Sequence, residues 1–248
     1  LMYAPTDRLT LAGMLNLVEL SMHHRIGRGP LAGQSFKTES SGLGDSSLAA
    51  LYRFWDAPRQ RAHVGLGLLL PTAELNKEDY LPPAGRTARL PYPMQLGAGS
   101  WGIAPSVTYL GQNDDWSWGA QLAGRFYLNE NSEGYRLGNR GEATAWGARR
   151  LSDWASLSLR TTASTWGNIT GSDSQIMQTN MMGVPIVPTA DPKLRGGSRW
   201  DLSLGLNLRW PGTGARLGLE GGIPLWQDLD GPQLGSSWWV LAGLQYAF

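Results

Sequence analysis

From Ser198 to Trp210 the chain alternates strictly. Trp200, Leu202, Leu204, Leu206, Leu208 and Trp210 stand against Arg199, Asp201, Ser203, Gly205, Asn207 and Arg209. A period of two is the signature of a strand with one apolar and one polar face. A Trp closes the apolar row at each end, where a bilayer's two interfaces favour aromatic rings. The same alternation predicts further strands. Leu157, Leu159, Thr161 and Ala163 oppose Ser156, Ser158, Arg160, Thr162 and Ser164, and Trp101, Ile103, Pro105, Val107 and Tyr109 oppose Ser100, Gly102, Ala104, Ser106 and Thr108. Trp118, Ala120, Leu122, Phe126 and Leu128 face away from Ser117, Gln121, Arg125 and Tyr127. Val64, Leu66, Leu68 and Leu70 face away from His63, Gly65 and Gly67, and Leu48, Ala50, Tyr52 and Phe54 from Asp45, Ser47 and Arg53. Arg8 to His24 is less regular, which predicts a bulge near Leu17 and Val18. No segment carries a helical stripe.

The connections sort by length. Tight links with turn residues fall at Pro5–Asp7, Asp56–Arg59, Gln112–Asp115, Leu151–Asp153 and Pro211–Gly214. Long polar links lie near 25–42, 73–97, 129–139, 169–196 and 227–235. Short and long alternate without exception, as in bacterial outer-membrane barrels with short periplasmic turns and long extracellular loops. The expected fold is therefore all-β: a transmembrane antiparallel up-and-down barrel forming a single domain over residues 1–248. About ten complete strands are legible, and Leu1 to Ala4 reads as the end of another. Even strand number then predicts about twelve strands, with one and most of a second upstream of residue 1, together with a signal peptide. The ending Leu244-Gln245-Tyr246-Ala247-Phe248 resembles the C-terminal signal by which such barrels are recognised for assembly.

Composition narrows the function classes. Charged residues make up 17% of the 248, against roughly 25% in ordinary soluble domains, and 12 Trp accompany 33 Gly. The net charge of +1 offers no polyanion signature, so nucleic acid is not an expected partner. The absence of Cys removes disulfides, thiolate metal sites and a Cys nucleophile. No apolar run approaches the length of a membrane helix, and mean hydropathy is −0.26, a value that a barrel with polar lumen faces also gives.

Several segments together resemble one family. They are Met2 to Leu11 (MYAPTDRLTL), Thr38 to Asp45 (TESSGLGD), Leu70-Pro71-Thr72, Leu90 to Gly97 (LPYPMQLG), Thr108 to Gln112 (TYLGQ), Trp116 to Gly119 (WSWG), Ala145 to Arg149 (AWGAR) and Gln227 to Pro232 (QDLDGP). The family is the outer-membrane barrels described as "MetA-pathway of phenol degradation" or as transporters, and the resemblance spans nearly the whole chain. Members usually carry a His- and Met-containing segment before the first strand, and it is absent here. The resemblance implies localisation in the outer membrane of a Gram-negative bacterium and uptake of small aromatic compounds.

The polar faces gather Asp45, Arg53, His63, Arg125, Glu142, Arg160, Arg199, Asp201, Arg209, Arg216 and Glu220. Among these, Arg53, Arg125, Arg160, Arg199, Asp201, Arg209, Arg216 and Glu220 are the candidate lumen residues. They admit two readings: a selective, anion-tolerant constriction, or Arg–carboxylate pairs that fill the lumen, which the mixed signs favour. Asp201 lies two residues from Arg199 and is expected to neutralise it, leaving Arg160 and Arg209 as the free cations. Catalysis is not expected. The three histidines form no nucleophile constellation, His23-His24 having only Glu19 and Glu39 nearby, and Asp114-Asp115 sits in a turn. No cofactor or metal site is expected either. Met177, Met181 and Met182, beside Gln175 and Asn180, could offer thioethers to Cu(I) but read better as loop packing. Asp228-Leu229-Asp230-Gly231 reads as a turn. The expected partners are the lipid bilayer with its lipopolysaccharide and a small-molecule solute. The function expected is passive passage of small solutes, with a sealed accessory barrel that docks an envelope protein as the alternative.

Overall fold

The alternating stretches are strands in a computed structural model of the chain, which describes residues 1–27, 30–176, 188–231 and 233–246. Eleven strands form one antiparallel sheet: β1 (Met2–Tyr3), β2 (Leu9–Met14), β3 (Ser46–Ala57), β4 (Gln60–Leu70), β5 (Gly102–Gln112), β6 (Trp116–Tyr127), β7 (Arg140–Arg150), β8 (Ala155–Trp166), β9 (Gly197–Arg209), β10 (Ala215–Leu229) and β11 (Trp239–Tyr246). Each strand pairs with its neighbour in the chain, an up-and-down order throughout. Among the described residues β1 and β11 are the sheet's two edges and do not pair with each other. The sheet nevertheless curls back on itself. Gln121 of β6 and Trp239 and Leu241 of β11 line one cavity, although five strand spacings, about 24 Å of wall, separate them.

The two faces are inverted relative to a water-soluble protein. Buried strand positions are polar or small: Thr108, Thr144, Ser164, Asp201 and Ser203, with Ala62, Ala155 and several glycines. Exposed ones are large and apolar: Trp200, Leu204, Leu157, Leu159, Ile103, Val107 and Leu122, with Leu208 partly exposed. An apolar belt of this extent has no stable home in water and is matched by hydrocarbon. Trp200 and Trp210 stand ten residues apart, about 33 Å along the strand, which at a tilt near 40° spans about 25 Å, the height of a barrel's apolar band.

Because order is sequential and pairing antiparallel, the short turns 58–59, 113–115, 151–154 and 210–214 share one end of the sheet and the long connections share the other. Adjacent short turns are pinned together, Arg59 Nη2 donating to Asp114 at 2.7 Å. At residues 15–16, next to the bulge expected near Leu17 and Val18, the pairing register shifts by one: Met14 faces Ser47 and Leu17 faces Leu43. Leu17–Arg25 and Ser35–Leu43 carry the β2–β3 pairing on past this shift as a two-stranded hairpin, so the expected long link at 25–42 is largely strand. The pairing is carried across the irregularity by Gly44 N, which donates to the Asn16 carbonyl at 2.9 Å, so the backbone groups of both segments stay hydrogen-bonded.

The long connections do not trail into solvent. Leu90, Tyr92, Met94, Leu96, Tyr135, Ile169, Ile176 and Ala190 are buried. Ser40 Oγ donates to the Met94 carbonyl at 2.7 Å, Asn131 Nδ2 to the Ala98 carbonyl at 2.9 Å and Asp173 N to the Tyr92 hydroxyl at 3.1 Å. These loops leave the sheet from strand ends as much as six spacings, about 30 Å of wall, apart, so they share a core by bending over the opening.

Candidate functional site

The interior is organised in rows across the strands. Gly119, Trp146, Arg160, Ser203, Gly222 and Trp239 are successive register partners from β6 to β11. Each Trp lies in a slot left by a glycine. A Cβ on Gly119 would come within 2.3 Å of the Trp146 ring, and one on Gly222 within 2.4 Å of the Trp239 ring. The Arg160 guanidinium carbon sits 5.1 Å from the Trp146 ring centroid, within cation–π range.

Carboxylates meet these arginines pairwise. Arg160 Nε lies 3.1 Å from Glu220 Oε1, Arg199 Nε 2.8 Å from Asp201 Oδ2, and Arg140 Nη2 3.2 Å from Glu142 Oε2. Ser203 Oγ donates to Glu220 Oε1 at 2.5 Å, so that oxygen serves two donors. The rows above are closed by hydroxyl and amide contacts: Thr144 with Thr162 at 2.8 Å and Gln121 Nε2 to Thr108 Oγ1 at 2.8 Å.

These pairs line a chamber of about 370 Å³ whose wall includes Gln121, Arg160, Arg199, Asp201, Glu220 and Trp239. A second chamber of about 730 Å³ opens at the short-turn end, with Asn207, Arg209, Arg216 and Gln245 on its wall. Along β10 and β11 the two are stacked: Glu220 and Leu241 of the first stand two positions from Gly218 and Gly243 of the second.

The expected residues fall into three groups. Arg160, Arg199, Asp201 and Glu220 come together in the upper chamber, with Asp201 neutralising Arg199 as anticipated. Arg160 differs from expectation. It is paired, because Glu220 projects from β10 across β9 to reach it, a contact between strands that are not neighbours. Arg209 and Arg216 are register partners at the lower mouth, both exposed and, among the described residues, without a salt-bridge partner. Arg53 and Arg125 belong to neither cluster. Arg53 pairs with Asp56 at 3.2 Å and donates to the Asp7 carbonyl near the short-turn end, while exposed Arg125 faces Arg140 across the β6–β7 register.

Sequence reasoning missed a centre in the long loops. Arg89, with 5% of its side chain exposed, lies 3.5 Å from Glu133, 3.7 Å from Asp173 and 3.9 Å from Glu78. It also donates to the Leu75 carbonyl at 2.9 Å and to Gln175 at 2.8 Å. Three loops thus converge on one guanidinium, and nothing in the strand alternation marks it. Asp45 acts similarly, accepting from the backbone N–H groups of Ala73, Ala98 and Gly99. His24 stacks on Phe36 at 4.7 Å and hydrogen-bonds Thr38. Burial, and secondarily the charge of His23, lowers its pKa. Asp230 accepts from Asn168 rather than serving with Asp228 as a ligand pair. No group of His, Asp and Glu suited to a metal occurs among the described residues. Met177, Met181, Met182 and the last two residues of the terminal segment lie outside them.

Residues 4–181 match the family model described as "Putative MetA-pathway of phenol degradation". Among solved structures, the chain is similar to the COG4313 outer membrane channel from Pseudomonas putida F1. The TM-score is 0.60 at 16% identity, covering 98% of this chain and 78% of that one. At that identity the likeness is one of fold. No curated protein matches the chain in sequence.

Proposed function

The chain belongs to the MetA-pathway phenol-degradation family, and on that premise we propose that it gives small solutes a passive path across the outer membrane of a Gram-negative bacterium. The observation that carries this reading is the pair of stacked chambers, lined by polar and charged residues, inside a wall whose outer face is Leu and Trp. A wall of that kind sits in a bilayer, and polar chambers inside it hold water and solute. The path is driven by the solute gradient alone, as the chain carries no nucleotide-binding motif. Balanced Arg–carboxylate pairs in the upper chamber suit neutral solutes better than ions, in keeping with small aromatic compounds. The two readings of the interior are then one: the pairs fill part of the lumen and set what passes the remainder.

One observation favours a second reading. The shared core of the long loops bends over the mouth and would serve a sealed barrel that presents its loops to a partner in the envelope. Swelling of proteoliposomes in isosmotic solutions of small neutral solutes decides between them. Solute-dependent swelling above that of protein-free vesicles supports passage, and no swelling with heat-modifiable, folded protein supports the sealed barrel.

A further inference from the structure

Among the described residues that line the upper chamber, one buried polar side-chain atom has no hydrogen-bond partner, Asp201 Oδ1. Asp201 is 3% exposed, and its Oδ2 is held by Arg199 at 2.8 Å, yet among the described residues its Oδ1 receives no hydrogen bond. The hydroxyl of Ser164, the register partner of Arg199, is likewise buried and unpartnered. A carboxylate oxygen withdrawn from water and left without a donor is costly, and native proteins rarely keep one without a reason. The neighbouring threonines do not supply the donor, since Thr144 and Thr162 are engaged with one another.

The rest of the chamber defines what could bring that donor. Three arginines, Arg140, Arg160 and Arg199, and three carboxylates, Glu142, Asp201 and Glu220, line it, so its formal charge sums to zero. A full ionic charge gains little there. Trp239 forms another part of the wall, its ring laid in the slot of Gly222. Gly222 thus keeps the indole close to the wall, and an aromatic surface and a donor-seeking oxygen share one chamber of about 370 Å³, within the usual size of small-molecule sites. We propose that this chamber is a recognition subsite for small, neutral, planar solutes bearing a hydrogen-bond donor, with the ring stacked on Trp239 and the donor on Asp201 Oδ1. The inference rests on the passage reading for bringing solute into the lumen, but it is a statement about binding and is tested as one.

The probes are phenol and anisole, which share a ring and differ in the O–H that anisole carries as a methyl ether. Binding to the full chain in lipid nanodiscs is followed by saturation-transfer NMR, with empty nanodiscs as reference. The expected result is phenol binding about tenfold tighter than anisole, the scale of a hydrogen bond to a charged acceptor. Asp201→Asn, which keeps an acceptor oxygen but loses its charge, narrows that difference, and Trp239→Leu weakens both ligands. Equal binding of phenol and anisole to the native chain overturns the proposal, since water then satisfies Oδ1 as well as a solute does. A Trp239→Leu chain that binds both ligands unchanged overturns it too. Should Asp201→Asn fail to show the heat-modifiable shift of a folded barrel, the native comparison and Trp239→Leu decide. Selective binding without liposome swelling leaves the subsite standing and removes the passage reading. Swelling with no preference for phenol does the reverse.

Discussion

Arg160 on β8 and Glu220 on β10 meet at 3.1 Å over the strand between them, whose Ser203 donates to the same carboxylate oxygen at 2.5 Å. The three side chains bind three strands together on the inner face, and the pair cancels a guanidinium that would otherwise stand alone there. Removing one partner therefore unmasks the other. Glu220→Gln is expected to shift the reversal potential toward anions and Arg160→Gln toward cations. Both should keep the heat-modifiable gel shift, because neither side chain belongs to the lipid-facing wall. Unchanged selectivity in both variants, with conductance present, would place the path elsewhere.

Arg209 and Arg216 form the opposite case, like charges directly across a strand pair at the lower mouth. Such pairs oppose sheet formation, by roughly 0.2–1 kcal/mol. Arg209→Gln is expected to leave the thermal unfolding midpoint unchanged or slightly raised while lowering anion preference in salt-gradient recordings. The effect should shrink at high salt, as exposed charges are screened there.

Arg89 is expected to govern the loops. Its near-complete burial among Glu133, Asp173 and Glu78 means that Arg89→Met strands carboxylates out of water, at a cost of about 3–5 kcal/mol to the loop core. Limited proteolysis from the long-loop side should then cut 71–101 and 128–139 at enzyme levels that spare the native chain, with the strands still protected.

The pH dependence of the 17–43 hairpin follows from His24. Its pKa is lowered from 6.5 chiefly by burial, so the folded hairpin prefers the neutral ring. This contribution is fully present above pH 6.5 and is lost as pH falls below it through the folded value. Hydrogen exchange of the hairpin amides should speed up on acidification across that window, and His24→Gln should flatten the response.

The strands and their faces were legible because a bilayer enforces alternation: a charge on the outer face at mid-membrane costs about 2–4 kcal/mol. Ser198 to Trp210 therefore reads directly as β9. The pairing of Arg199 with Asp201 was legible too, since both lie on one face two residues apart. Arg160 with Glu220 was not, because it depends on a side chain spanning a strand, which periodicity does not encode. Arg89 was invisible for a related reason. Its partners come from three separate loops, where no regular period links position to facing. The one-residue register shift at 15–16 was legible as a bulge from the broken alternation. The continuation of the pairing as a hairpin through 25–42 was not, because polar hairpin strands and a polar link look alike in sequence.

Single cysteines test the inward row most directly, since the chain has none of its own. Ser203 and Leu204 are adjacent on β9, the first 3% and the second 67% exposed on opposite faces of the wall. In planar bilayers, a charged water-soluble thiol reagent is predicted to lower the conductance of Ser203→Cys irreversibly, beside the Arg160–Glu220 pair, and to leave Leu204→Cys untouched. Modification of Leu204→Cys but not Ser203→Cys, or no conductance from either folded variant or the native chain, would contradict a water-filled path along this row.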